Sequence, residues 1–133
     1  MNTIVLTGSQ SGMGLVMRQY LAGQPDTQII GVDLPGKGAE VDADLSILGG
    51  VQAAVKGVLA QAPSGISGVI ANAGLDLNKP PLTLGVNYFG VVDFLNGLQP
   101  TLAAAPPTAV VVNASNSVAI TPNIPMEPVE ALL

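Results

Sequence analysis

The sequence contains no histidine, no cysteine and no tryptophan. Without histidine it lacks the usual neutral-pH general base and the commonest metal ligand, and every Ser-His-Asp arrangement is excluded. Without cysteine there are no disulfides and no thiolate metal centres, so no metal is expected. Cations are scarce: Lys and Arg number 4 against 9 Asp and Glu, a formal charge of −5. Nucleic acid is therefore not an expected partner, because its phosphates call for clustered Lys and Arg. Gly, Pro or polar residues interrupt every apolar run before the roughly 18–20 residues of a membrane helix. The first residues, MNTIVLTGS, carry none of the basic character of a secretory signal. These absences leave the expectation of a soluble cytoplasmic protein without a membrane partner.

What the sequence does have is length for one domain and an abundance of small apolar residues, which suit a sheet covered on both faces by helices. Apolar runs at Thr3–Leu6, Gln28–Asp33, Val41–Leu45, Ser67–Asn72 and Thr108–Val112 read as five strands, the last of them buried. Between them lie helical periodicities. One runs from about Met13 to Leu21 and is stopped by Gly23-Gln24-Pro25. A second runs from about Ile47 to Gln61 with Ser46 as its expected cap. A third, from about Leu84 to Ala104, follows a loop with Pro80-Pro81, and Pro100 is expected to kink or break it. Pro35-Gly36-Lys37-Gly38 is a turn cluster. Strands alternating with helices across short loops predict βαβ units around a parallel sheet.

The loop after the first strand, Thr7-Gly8-Ser9-Gln10-Ser11-Gly12-Met13-Gly14, combines three glycines with a helix start. Gly8 permits a tight turn, Gly12 lets backbone approach a pyrophosphate, and Gly14 lets the helix pack closely on the sheet. The helix N-terminus then directs its N–H groups and positive dipole end at the phosphates. The spacing is neither GxGxxG nor a P-loop, since no Lys-Ser/Thr follows the last glycine. Asp33 ends the second strand, 19 positions after Gly14. A carboxylate there accepts hydrogen bonds from an adenosine ribose and repels a 2′-phosphate, which predicts NAD rather than NADP.

The pattern TGxxxGxG, followed in order by the strand-end Asp33, Asn72-Ala73-Gly74 and Val86-Asn87-Tyr88-Phe89-Gly90, resembles the short-chain dehydrogenase/reductase family. The resemblance implies a Rossmann-like three-layer αβα sandwich with a parallel sheet of order 3-2-1-4-5. It covers the whole chain as a single NAD(P)-binding domain, 1–133, truncated to about half the family's usual length, with the last strands missing. It implies cofactor contacts from Gly8, Ser9, Ser11, Gly12, Met13 and Gly14, from Asp33 and Leu34, from Asp44 and Leu45 beside the adenine, and from Asn72, Ala73 and Gly74. It also implies that Asn87 holds a backbone distortion and a water of the proton relay. The apolar neighbours of Asn87 argue against a plain solvated helix face. The serine that hydrogen-bonds the substrate oxygen is Ser115 if the strand ends are matched, or Ser117 if Ser117-Val118-Ala119 is matched to a Ser-Val-Ala run.

The activity implied is NAD-dependent hydride transfer between a secondary alcohol and a ketone, by a homo-oligomer at full length. Within the family, the short region between the second and third strands, the VDADLS stretch, VNYFG and the Pro-rich insert after the serine are most similar to the 3α-hydroxysteroid dehydrogenase/carbonyl reductase group. One requirement of the family is not met. Tyr20 is followed four positions later by Gln24 and Tyr88 by Val92, so no Tyr-x-x-x-Lys pair exists in these residues. The chain alone is therefore expected to be inactive. A non-catalytic NAD-binding or scaffold protein, or a fragment without function of its own, stays open beside the enzyme.

Overall fold

The computed structural model describes residues 1–104, 107–115 and 127. Its five strands are β1 (Asn2–Thr7), β2 (Thr27–Asp33), β3 (Val41–Asp42), β4 (Gly68–Ala71) and β5 (Ala109–Val112). All pair in parallel, in the order β3-β2-β1-β4-β5. The helices are α1 (Gly12–Ala22), α2 (Leu48–Gln61), α3 (Pro80–Leu84) and α4 (Val91–Ala104), with a π-helical segment, Gly85–Gly90, joining α3 to α4. The expected Rossmann-like sheet order is thus present, with helices on both faces.

The register explains which residues form the core. Val5 stands beside Ile30 on one side and Val69 on the other, so the three share a face of the sheet. All three are buried there with Val51, Ala54 and Val58 of α2 and with Phe94 and Leu98 of α4. The intervening positions face the other way, toward α1, whose Arg18 reaches Gly31. Phe94, Leu98 and Leu102 recur every four residues, so α4 seats a single stripe on the core.

Three local expectations are corrected. The fifth strand is not buried: every residue of β5 is exposed, with Val111 at 54%. Among the described residues it is the outermost strand of the sheet, paired on one side only, with β4, whereas Val69 lies between β1 and β5. Of the two outcomes expected at Pro100, a kink or a break, the helix is not broken there and continues to Ala104. Pro100 and Asn96, whose carbonyl would have paired with the missing N–H, are both on the exposed side, while Leu98 and Leu102 hold the buried side. The same helix begins earlier than its periodicity suggests, because Pro80 and Pro81 occupy the first turn, where a missing N–H costs nothing. Ser46 does not cap α2. Its N–H and hydroxyl both donate to Asp44 Oδ1, and Ile47 takes the cap position.

Candidate functional site

At the carboxyl ends of β1, β2 and β4 lies a cavity of about 430 Å³, within the range typical of ligand pockets. Gly8, Ser11, Asp33, Leu34, Asp44, Leu45, Ala73 and Gly74 line it, eight of the residues expected to meet a cofactor. They come from four loops far apart in sequence, brought together because parallel strands deliver their exits to one side.

The glycine loop is shaped by close backbone packing. Gly8 has φ 66°, and a side chain there would meet Ala73 Cα at 2.9 Å. A Cβ at Gly14 would stand 1.8 Å from the Gly8 carbonyl oxygen, so only glycine lets α1 start against the turn. Gly12, at φ 50°, has nothing within 4 Å of such a Cβ, leaving its backbone open to an approaching group. Buried Thr7 ties this loop to the next: its Oγ1 accepts the N–H groups of Asn72 and Ala73 at 3.0 and 2.9 Å.

Asp33 holds the opposite wall. Its Oδ2 accepts the Gln10 N–H and its Oδ1 the Leu34 N–H, both at 2.8 Å. A carboxylate oxygen has lone pairs beyond one such bond, so the group can still accept from a ribose hydroxyl. Asp44 is also committed in part, to Ser46. The π-helical segment presses against this same loop, because Gly85 and Gly90 leave room for the carbonyls of Ser46 and Leu45.

Asn87 lies in the distorted segment itself. Its Oδ1 accepts the Leu75 N–H at 2.7 Å and its Nδ2 donates to the Leu75 carbonyl at 2.8 Å. The amide thus clasps the chain just after Asn72-Ala73-Gly74. Its neighbours do not bury it as their apolarity suggests: Tyr88 and Phe89 are 58% and 56% exposed and stack edge to face at 5.1 Å.

The remaining expected residues fall outside the cavity wall. Ser9 is fully buried, turned toward Gly31. Met13 is exposed, and Gly12 and Gly14 flank it at the start of α1. The Asn72 side chain bridges strands instead: its Nδ2 donates to the Thr7 carbonyl at 3.4 Å, and its Oδ1 accepts from Asn113 at 2.9 Å. Ser115 is exposed, two residues beyond Asn113. Ser117 lies outside the described residues.

The sequence reading missed Lys37, Leu75, Leu77, Leu82 and Val86, which also line the cavity, and Gln10, whose Nε2 donates to the Gly38 carbonyl at 3.1 Å across the loops. Gln10 sits inside the glycine loop and Lys37 four residues past Asp33, so proximity to motif residues was the available signal. A second concavity, of about 510 Å³, lies between α2 and α4 and includes Leu48, Val55 and Leu59. Gln52, Lys56, Asp93 and Asn96 border it as well, and it touches no strand end or motif residue. Among the described residues there is no group of acidic side chains able to hold a metal, and no helix long and apolar enough to cross a membrane.

No protein-family model matches the chain. The chain is 35% identical over 117 residues to a 3-alpha-hydroxysteroid dehydrogenase/carbonyl reductase of Comamonas testosteroni, covering 86% of this chain and 44% of that protein. The fold is similar to that of a 3-alpha-hydroxysteroid dehydrogenase of Pseudomonas sp. B-0831 solved with NADH, at TM-score 0.82 and 34% identity, covering 91% of this chain and 47% of that one. It is also similar to a short-chain dehydrogenase/reductase of Brucella melitensis, at TM-score 0.74 and 21% identity, covering 90% and 59%. The L-sorbose reductase of Gluconobacter frateurii, solved with NADPH and L-sorbose, shares the fold at TM-score 0.77 and 22% identity, covering 90% and 54%. The chain therefore spans about half the length of these proteins.

Proposed function

We propose that this chain, which belongs to the short-chain dehydrogenase/reductase family, binds NAD(H) in the strand-end cavity as the cofactor half of an alcohol–ketone oxidoreductase. The observation that carries this reading is the convergence of Gly8, Ser11, Asp33, Asp44 and Gly74 on one cavity. The residues fit the group. The open backbone at Gly12 suits a pyrophosphate, and Asp33 retains acceptor capacity for ribose hydroxyls. Leu34, Leu45 and Leu75 supply apolar surface for a flat base. A bound dinucleotide supplies the hydride chemistry; the protein's part is to hold and orient it. Asn87 serves by fixing the Leu75 backbone beside the cofactor, and Ser115, or Ser117 in the alternative register, would hydrogen-bond the substrate oxygen. The substrate class proposed is a secondary alcohol or its ketone, with hydroxysteroids the first candidates from the name of the Comamonas relative.

Cofactor choice turns on two groups in one cavity. Asp33 repels a 2′-phosphate, while Lys37 is the one cation on the cavity wall among the described residues. Because Asp33 is seated by two backbone N–H groups and Lys37 is on an exposed turn, the reading favours NAD. Calorimetry with NADH and NADPH tests it. NADH is expected to bind at least tenfold tighter, and Asp33→Ala to remove that preference; equal binding of both by the unmodified chain overturns the assignment.

A second reading applies to the 133 residues by themselves: binding without turnover. Neither tyrosine has a lysine four positions on, and there is no histidine to serve as base. Steady production of NADH from a secondary alcohol by the purified chain would sink it.

A further inference from the structure

The edge of the sheet beside the cavity carries an arrangement that neither the motifs nor the family expectations used. β2 is longer than β3. Only Val32 and Asp33 pair with β3, at Val41 and Asp42, so the outer edge of β2 is uncovered one residue earlier, at Gly31. The Gly31 N–H is satisfied there by a side chain: it donates to Glu40 Oε2 at 2.7 Å. Glu40 thus stands in for one bond of a missing strand.

The same carboxylate is gripped by Arg18 of α1. Arg18 Nη1 donates to Glu40 Oε2 at 2.7 Å, and Nη2 donates to Oε1, a two-pronged geometry. The two side chains are 23% and 31% exposed. From the opposite side, Gln61 Nε2 of α2 donates to the Glu40 carbonyl at 2.7 Å. Glu40 is therefore a junction of β2, α1 and α2. Gly31 is glycine because the space is taken: a Cβ there would lie 2.3 Å from Ser9 Oγ, 2.5 Å from Arg18 Nη1 and 2.9 Å from Glu40 Oε2.

Between Asp33 and this junction runs the loop that brings Leu34 and Lys37 to the cavity. The loop has little packing of its own. Gly36 and Gly38 both have φ 81°, with nothing within 4 Å of a side chain built there, and residues 34–38 are exposed. Its hydrogen bonds are few: Leu34 N–H to Asp33 Oδ1 at 2.8 Å, Lys37 N–H to the Leu34 carbonyl at 3.2 Å, and Gln10 Nε2 to the Gly38 carbonyl. A loop without core contacts takes its position from its anchors. One anchor is Asp33, already held by the glycine loop. The other is Glu40.

We propose that Arg18 and Glu40 are a positioning pair for the adenosine end of the dinucleotide site, holding the 34–40 loop so that Leu34 and Lys37 close the cavity wall. This rests on the NAD(H)-binding reading above. Neither residue touches the cofactor; both act through the loop. Removing the charge or the fork releases one end of the loop, and the bound dinucleotide must then order it at the expense of affinity.

The test is NADH calorimetry at a temperature well below every unfolding midpoint. Glu40→Gln and Arg18→Met are each expected to weaken NADH binding about fivefold, the scale of one partly exposed ion pair. Arg18→Lys, which keeps the charge, should recover part of that loss. A control, Leu59→Ala, loosens packing against the core far from the cavity and should lower the unfolding midpoint while leaving affinity unchanged. Unaltered affinity in Glu40→Gln overturns the proposal, and so does an equal loss in Leu59→Ala, which would make the effect one of general stability. If Glu40→Gln fails to fold, the Arg18→Met and Arg18→Lys pair decides: a loss in the first with partial recovery in the second supports positioning, and native affinity in both overturns it. Failure of the unmodified chain to bind NADH overturns the underlying reading, and this inference with it, and is seen before any variant is made.

Discussion

Replacing Gly14 by alanine and, separately, Gly12 by alanine should split two roles that the glycine loop combines. At Gly14 the added methyl would lie 1.8 Å from the Gly8 carbonyl oxygen, where ordinary contact begins at 3.4 Å. The obstacle is backbone and a methyl has no rotamer to change, so α1 has to retreat by about 1.6 Å, the difference between 3.4 and 1.8 Å, from the turn that seats it. Overpacking of well-packed sites costs about 1–3 kcal/mol, and a backbone obstacle belongs at the upper end, so a loss of about 3 kcal/mol is expected. At Gly12 the methyl meets nothing within 4 Å. The cost there is the left-handed conformation, about 1 kcal/mol, reduced by the smaller entropy of the unfolded alanine chain. Urea unfolding followed by far-ultraviolet circular dichroism should therefore place Gly14→Ala roughly 2 kcal/mol or more below Gly12→Ala. Calorimetry should show the converse for ligand: Gly12→Ala, close to native in stability, should lose at least tenfold in NADH affinity, because its methyl would stand at the proposed pyrophosphate site. Equal stability losses, or a Gly14→Ala chain as stable as the parent, would refute the packing argument. Native NADH affinity in Gly12→Ala would refute the phosphate assignment.

Other outcomes follow from the same geometry. Asn87→Ala removes both bonds to the Leu75 backbone, so the Leu75 amide should lose hydrogen-exchange protection, with a stability loss of about 1 kcal/mol at this exposed site; unchanged exchange at Leu75 would contradict the clasp. The Arg18 guanidinium, aided by the Gly31 N–H, holds the Glu40 carboxyl below the ordinary glutamate range. A depressed carboxylate stabilises the fold above its unfolded value, about 4.3, and that contribution is lost as pH falls through the folded value. The stability gap between the parent chain and Glu40→Gln should thus be constant from neutral pH down to about 5 and close at lower pH, as read by urea unfolding; a gap that widens on acidification would reverse the sign. Val69→Lys, at a site 1% exposed, should unfold the chain, whereas Val111→Lys, on the same sheet at 54%, should stay within about 0.5 kcal/mol of the parent in thermal unfolding. Equal effects would show that β5 is covered in solution.

Much of the site was legible because its signals are local. Gly8, Gly12 and Gly14 act within one turn, and Asp33 ends the strand that the loop opens onto, so spacing along the chain carries their meaning. The clasp of Asn87 on Leu75 was not legible in the same way, since 12 residues and a change of helix type separate the partners. Nor was Ser46, whose local preference for a helix cap was overridden by Asp44 two residues before it. At Pro100 the sequence left a kink or a break open, because a propensity rule counts the lost hydrogen bond but not the Leu98–Leu102 stripe that holds the helix on the core.

By itself the sequence determined the alternation of strands and helices and the glycine turn, because these follow from periodicity and backbone freedom over a few neighbouring residues. Only the tertiary structure decided which apolar residues are buried. Val69 and Val110 are side by side in the sheet, yet the first is sealed and the second is 47% exposed. It also decided that Glu40, 22 residues from Arg18, completes the edge of β2 beside the cavity. Burial and ion pairing depend on what lies across space from a residue, and that is set by the packing of whole elements rather than by the residue's neighbours in the chain.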